Sequence, residues 1–258
     1  MTPVSGTPES PPILSVRDLR KRFVLHAIDA RVVPALNGID LDVHAGEHVA
    51  LAGTSGAGKS SLLKCIYRTY LPSSGQVWYR HTDGTETDLV TLSDGALAHL
   101  REHEIGYVSQ FLRAEPRRGV LDVVARSGIR RGMDHDTAYE AAAQALSRVN
   151  IAERLWQTYP TLLSGGEKQR VNLAAGTIEP PRLLLLDEPV SALDPENREA
   201  VLDMIAQLTT KGVAVLAVFH DLDAMLRLAS RVVLMQNGQA VADGPPHEVL
   251  SAAPAVAS

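Results

Sequence analysis

The stretch Gly53-Thr54-Ser55-Gly56-Ala57-Gly58-Lys59-Ser60 constrains this chain more than any other. It follows the apolar run His48-Val49-Ala50-Leu51-Ala52 and precedes the helix-like Ser61-Leu62-Leu63-Lys64-Cys65-Ile66-Tyr67. It therefore fits G-x-x-x-x-G-K-[ST] in the strand–loop–helix setting that the pattern requires. Glycines let the backbone curl so that successive N–H groups point at phosphate oxygens, and the helix adds the positive end of its dipole. Lys59 is then in reach of β and γ phosphates, and the Ser60 hydroxyl of Mg²⁺. The bland alternative is a tight turn between strand and helix, which explains the glycines but not the lysine and serine that follow them.

Composition narrows the setting. The 258 residues are 45% hydrophobic and 21% charged, as expected of one globular domain with a sizeable core. A formal net charge of −5 gives no general reason to expect a nucleic-acid partner. Cys65 is the single cysteine, so no internal disulfide can form and a reducing cytoplasmic setting is expected. The apolar runs Leu183-Leu184-Leu185-Leu186 and Val213 to Phe219 have the length of buried strands, well short of the ~20 residues that cross a bilayer. Residues 1–12, with four prolines and no basic segment, are expected to form a disordered leader.

Ile13-Leu14-Ser15-Val16 and Ile39 to Val43 read as strands flanking an irregular stretch from His26 to Pro34. Phe23 lies between them, about thirty residues before the phosphate loop; its ring suits either a core position or a stack on a nucleotide base. Ser93 to His103 reads as a helix, and its His99-Leu100-Arg101-Glu102-His103 matches H-x-x-E-H. Nothing supplies a third metal ligand, so it reads as solvated helix surface. Ile105 to Gln110 is a buried strand ending in a neutral amide able to offer its carbonyl to a metal ion or a water. Between Phe111 and Arg131 six arginines stand against Glu115 and Asp122 alone, either as a solvated face or as a docking surface for an acidic partner. Helices are expected over Asp134 to Val149 and around Ala152 to Thr158.

Two further groups carry chemistry. Leu163-Ser164-Gly165-Gly166-Glu167-Lys168-Gln169 opens a helix, and Ser-Gly-Gly before a helix is a second place to hold an anion. One molecule with one nucleotide has no evident use for two such places, which hints that this one serves a second chain. Leu183 to Leu186 ends in Asp187-Glu188, two carboxylates at the carboxyl end of a core strand, where parallel sheets hold their ligands. With a phosphate loop upstream, Asp187 suits Mg²⁺ and Glu188 suits polarising an attacking water. The next apolar strand delivers His220 to the same edge, and Asn237-Gly238 between alternating runs marks a hairpin.

Taken together, in order and spacing, these segments resemble the ATP-binding-cassette (ABC) ATPase family from Ile13 to Leu250. The resemblance implies an α/β P-loop NTPase fold: a mixed sheet core with an antiparallel β subdomain and an inserted α-helical subdomain. Residues 13–110 and 163–250 would form the nucleotide-binding core, 111–162 the helical insert and 251–258 a tail. It also implies ATP and Mg²⁺. Gly53 to Ser60, with Ser61, would bind nucleotide, and Ser60, Gln110 and Asp187 would hold the metal. Lys59, Gln110, Glu188 and His220 would serve hydrolysis, and Phe23 would stack on adenine. Ser164, Gly165, Gly166 and Glu167 would close over the nucleotide of a second subunit, with Asp194 at the dimer contact, in a head-to-tail dimer of this chain with itself or a related ATPase.

A narrower resemblance rests on Phe23 to His26, Val33 to Asn37, Tyr107 to Arg113, Pro116-Arg117, Glu153 to Trp156 and Arg170 to Ala174. These segments are similar to ATPases of the phosphonate carbon–phosphorus lyase system, which implies soluble lyase subunits as partners. Ala175 departs from that pattern, where an arginine is expected before Gly176. The alternatives are the ATPase of a membrane permease, working at the inner face of the membrane, and a structural module that binds ATP without turnover.

Overall fold

The computed structural model describes residues 10–25, 31–109 and 117–252. Gln110, within the Phe111 to Arg131 stretch Arg113 and Glu115, and both chain ends lie outside them. The strands are β1 (Leu14–Leu25), β2 (Arg31–Val43), β3 (His48–Ala52), β4 (Ser74–Arg80), β5 (Glu86–Asp88), β6 (Ile105–Val108), β7 (Leu183–Asp187), β8 (Ala214–Val218), β9 (Arg231–Gln236) and β10 (Gln239–Gly244). The helices are α1 (Lys59–Ile66), α2 (Asp94–His103), α3 (Val120–Arg130), α4 (His135–Arg148), α5 (Gly165–Thr177), α6 (Pro195–Thr210), α7 (Leu222–Leu228) and α8 (Pro246–Ser251).

Two sheets result. One is antiparallel with strand order β2-β1-β4-β5; the other runs β10-β9-β3-β8-β7-β6, parallel except for β10. The parallel strands β3, β7 and β8 are buried along their whole length, which explains why they read as continuous apolar runs rather than alternating ones. Successive side chains still point to opposite faces. Ala50, Leu184, Leu186, Val215 and Ala217 pack on the side of α3 to α7. Val49, Leu51, Leu183, Leu185 and Leu216 pack on the side of α1 and the antiparallel sheet. Parallel strands put the carboxyl ends of β3, β6, β7 and β8 along one edge, and the phosphate loop, Asp187, Glu188 and His220 gather there.

Helix starts follow the sequence closely. Ser93, Asp134, Ser164, Asp194 and Asp221 each accept a hydrogen bond from a backbone N–H of the helix they precede. Two local expectations differ. Of the stretch expected to be irregular, residues 26–30 lie outside the described residues, while Arg31 to Pro34 belong to β2: β1 and β2 pair as strands of 12 and 13 residues, from Leu14 opposite Val43 to Leu25 opposite Arg31. Cross-strand bonding, with several register shifts, overrides the weak local pattern. The helix expected around Ala152 to Thr158 contracts to one 3-10 turn, Glu153–Leu155. Its backbone bonds go elsewhere: Val120 N donates to the Thr158 carbonyl and Leu121 N to that of Trp156. Among the described residues no helix is long and apolar enough to cross a membrane.

His48, at the start of β3, is buried against Phe219, and neither ring nitrogen has a hydrogen-bond partner among the described residues. Burial disfavours its charged form and pushes its pKa down to about 3. The unfolded chain takes up this proton below about pH 6.5 while the folded chain does not, so stability is lost as pH falls from there towards 3. One proton corresponds to about 1.4 kcal/mol per pH unit in that window. A His48→Leu variant should therefore show a flatter dependence of denaturation midpoint on pH between 6 and 4; parallel curves for the two proteins would refute this.

Candidate functional site

The phosphate loop bridges the end of β3 and the start of α1. Gly58 has φ +104°, and a Cβ there would lie 2.5 Å from the Ala35 carbonyl oxygen, so both its conformation and the approach of β2 demand glycine. Unlike α2, α4, α5, α6 and α7, α1 has no side-chain cap. Its first N–H groups are left for an anion. Lys59 is 5% exposed and donates from Nζ to the carbonyls of Gly53 (2.6 Å) and Thr54 (3.0 Å). Burial pulls its pKa below the ordinary lysine value, and the Glu188 and Asp187 carboxylates oppose that pull.

The carboxylates arrive from β7. Asp187 accepts hydrogen bonds at both oxygens, from Ser60 Oγ at Oδ1 (2.7 Å) and from the Tyr107 hydroxyl at Oδ2 (2.9 Å). Glu188 has φ +55°, a left-handed conformation that costs a non-glycine residue about 1–3 kcal/mol. Neighbours hold it there: Glu188 N donates to the Val218 carbonyl (3.2 Å), and Gln169 Nε2 donates to the Glu188 carbonyl. The other end of the Gln169 amide accepts from Ala192 N (3.2 Å). So oriented, Glu188 Oε1 lies 2.9 Å from His220 Nε2. β8 lies between β3 and β7, which brings His220 between the phosphate loop and Glu188.

The phosphate loop, Glu188 and His220 converge on one cavity of about 220 Å³, lined by Ser55 to Ser61, by Val33 to Ala35 of β2, and by Glu188 and His220, with Asp187 behind Ser60 rather than in its lining. Phe23 does not line it. Its ring stands edge-on to Tyr70 (centroids 5.2 Å apart) with the Lys21 ammonium 4.9 Å from its centre, across the ladder from Val33. Ser164 to Glu167 do not line it either. Ser164 Oγ accepts from Glu167 N (3.2 Å) while Glu167 Oε2 accepts from Ser164 N (2.8 Å), a reciprocal cap that holds the Glu167 pKa low. Gly166 packs where a Cβ would lie 2.8 Å from the Ala192 carbonyl, whereas Gly165 faces open space. Asp194 caps α6 through Asn197 N (3.1 Å) and Nδ2 (2.7 Å), bonds that keep its carboxyl ionised at lower pH than usual. Tyr107 and Gln169 are functional-site residues that sequence reasoning missed as such; Gln169 was visible only as part of the Leu163 to Gln169 motif.

The donor set suits Mg²⁺. A serine hydroxyl and a carboxylate are hard oxygen ligands, and Mg²⁺ is commonly held by one or two such groups together with substrate phosphates. Among the described residues no group of three or more His, Cys, Asp or Glu could hold a metal by itself, His99 and His103 included.

The family model described as ABC transporter matches residues 36–191. The chain belongs to the ABC transporter ATP-binding family. It is 32% identical over 243 residues to the methionine import ATP-binding protein MetN of Brucella abortus, covering 94% of this chain and 62% of that protein. The chain thus spans less than two thirds of that relative's length. It is 37% identical over 214 residues to the glutamate/glutamine/aspartate/asparagine transport ATP-binding protein BztD of Rhodobacter capsulatus, covering 83% and 78%. The dimeric post-hydrolysis structure of the ATP-binding cassette MJ0796, bound to ADP and Pi, superposes with a TM-score of 0.81 at 26% identity, covering 90% and 98%. As a cassette of the ABC family, the chain is an ATPase that uses ATP with Mg²⁺.

Proposed function

We propose that this chain is the ATP-hydrolysing subunit of a two-cassette motor, in which ATP closes two cassettes head to tail and hydrolysis releases them. The observation that carries this reading is the convergence of Lys59, Ser60, Glu188 and His220 on one cavity while Ser164 to Glu167 stay away from it. The dimeric state of MJ0796 supports the same arrangement. Lys59 holds the terminal phosphates and Glu188 orients the attacking water, with His220 beside it on the γ-phosphate side. Bound at Ser60, Asp187 and Gln110, Mg²⁺ would neutralise phosphate charge. Gly165 and Ser164 are free to approach the partner's nucleotide, and Asp194 lies in the turn that meets the partner. Phe23 neighbours the cavity through Val33 and is proposed to stack on the adenine. The domain division, with 111–162 as the helical insert, is part of the same proposal.

The partner surface is proposed at a second cavity, of about 450 Å³, between α2 and α3. Arg101, Arg130 and Arg131 line it with Ser127, Tyr67 and Ala175. Of the other arginines of the 111–131 region, Arg118 is structural: it pairs with Asp122 (3.0 Å), which also accepts from the Tyr139 hydroxyl (2.6 Å). For the partner's identity we propose the soluble phosphonate carbon–phosphorus lyase assembly, on the similarity of the Tyr107 to Arg113 and Arg170 to Ala174 segments to its subunit PhnL. A membrane permease is the second reading, favoured by the transport proteins among the relatives. Tagged Glu188→Gln protein, loaded with ATP and purified from cells grown on a phosphonate, should retain stoichiometric lyase subunits without detergent. Recovery of an integral membrane protein instead would replace the first reading by the second.

A further inference from the structure

We propose that Tyr107 is a positioning residue for the metal-binding carboxylate, a proposal that rests on reading Asp187 as that carboxylate. Tyr107 lies on β6 opposite Leu185 of β7, and its hydroxyl donates to Asp187 Oδ2 at 2.9 Å. Ser60 Oγ donates to Oδ1 at 2.7 Å, so the carboxylate is gripped at both oxygens and its plane is fixed. With its proton committed to Oδ1, the Ser60 oxygen keeps its lone pairs for a cation. Without the Tyr107 bond the carboxylate is free to rotate about its terminal torsion, which is broad for aspartate. Tyr107 is itself immobilised: its ring stacks on Tyr67 (centroids 5.0 Å apart, planes 28° apart). Tyr67 in turn lies under the Arg101 guanidinium, 4.4 Å from the ring centre, and its carbonyl accepts from Arg101 Nε at 3.0 Å. The carboxylate is therefore joined through two tyrosines to an arginine that lines the second cavity.

Residues that orient metal ligands typically contribute 10–100-fold to metal affinity. Tyr107→Phe keeps the ring and its stack and removes the hydroxyl alone. Titration of the ATP-loaded protein with Mn²⁺, followed by electron paramagnetic resonance, should show metal binding weakened by about tenfold. ATP affinity measured in EDTA should be unchanged, and hydrolysis should be largely restored by raising Mg²⁺. Should Tyr107→Phe fail to fold, Tyr67→Leu, which removes the stacking partner, should weaken Mn²⁺ binding in the same direction. Unchanged Mn²⁺ affinity in the substituted protein overturns the proposal. Asp187→Asn separates the two levels: if it also leaves Mn²⁺ affinity unchanged, the reading of Asp187 fails, and if it abolishes binding while Tyr107→Phe leaves the affinity unchanged, only the role of Tyr107 fails.

Discussion

Replacing Glu188 by glutamine is expected to leave ATP affinity near that of the unmodified protein while hydrolysis falls by about 10²–10⁴-fold, the range associated with loss of a general base. The amide keeps the size and hydrogen-bonding reach of the carboxylate but can neither accept the water's proton nor place negative charge beside it. Glu188 stands at the cavity wall, 2.9 Å from His220, on a backbone held at positive φ by Val218 and Gln169. The fold maintains a strained conformation at that point; strain of this kind persists only where the surrounding structure over-determines it, and it clusters at active sites. Single-turnover hydrolysis measured beside equilibrium ATP binding checks the split. Hydrolysis at the unmodified rate would remove Glu188 from its proposed role.

Lys59→Ala is expected to act one step earlier, on binding itself. Charge-assisted hydrogen bonds are worth about 1.5–3 kcal/mol each, so losing the ammonium should weaken ATP by about 10–100-fold. The ammonium is held ready by the Gly53 and Thr54 carbonyls, and the Glu188 and Asp187 charges nearby favour its protonated form. Fluorescent-nucleotide titration without metal isolates this contribution from that of Ser60 and Asp187. Undiminished affinity would argue that the loop holds nucleotide through its backbone alone. The two substitutions thus divide the site: one should lose turnover with binding intact, and the other should lose binding.

What could be read from the chain was chemistry written in short contiguous strings. The phosphate loop needs its glycines, lysine and serine consecutive because one turn and one helix start build the cradle. Asp187 and Glu188 were legible because a buried apolar run must end somewhere, and charges at its carboxyl end fall at the sheet edge. The helix starts at Ser93 and Asp134 were legible for a similar reason, since a cap is settled within four residues. Where local pattern was weak, reading failed: the cross-strand ladder takes Arg31 to Pro34 into β2, and the turn after Ala152 gave its backbone bonds to α3.

The sequence by itself determined the family, the phosphate cradle and the pair of carboxylates. Only the tertiary structure decided how those groups are aimed. Tyr107 reaches Asp187 across 80 positions of chain, and Ser60 reaches it across 127, so neither contact leaves a local trace. Gln169 holds the backbone of Glu188 and of Ala192 at once because the fold sets the first turns of α5 beside the turn that follows β7. Hydrogen bonds of this sort depend on distances of a few tenths of an ångström and on angle. Such precision comes from close packing of strands and helices around both sides of the sheet, and local sequence preferences do not encode it.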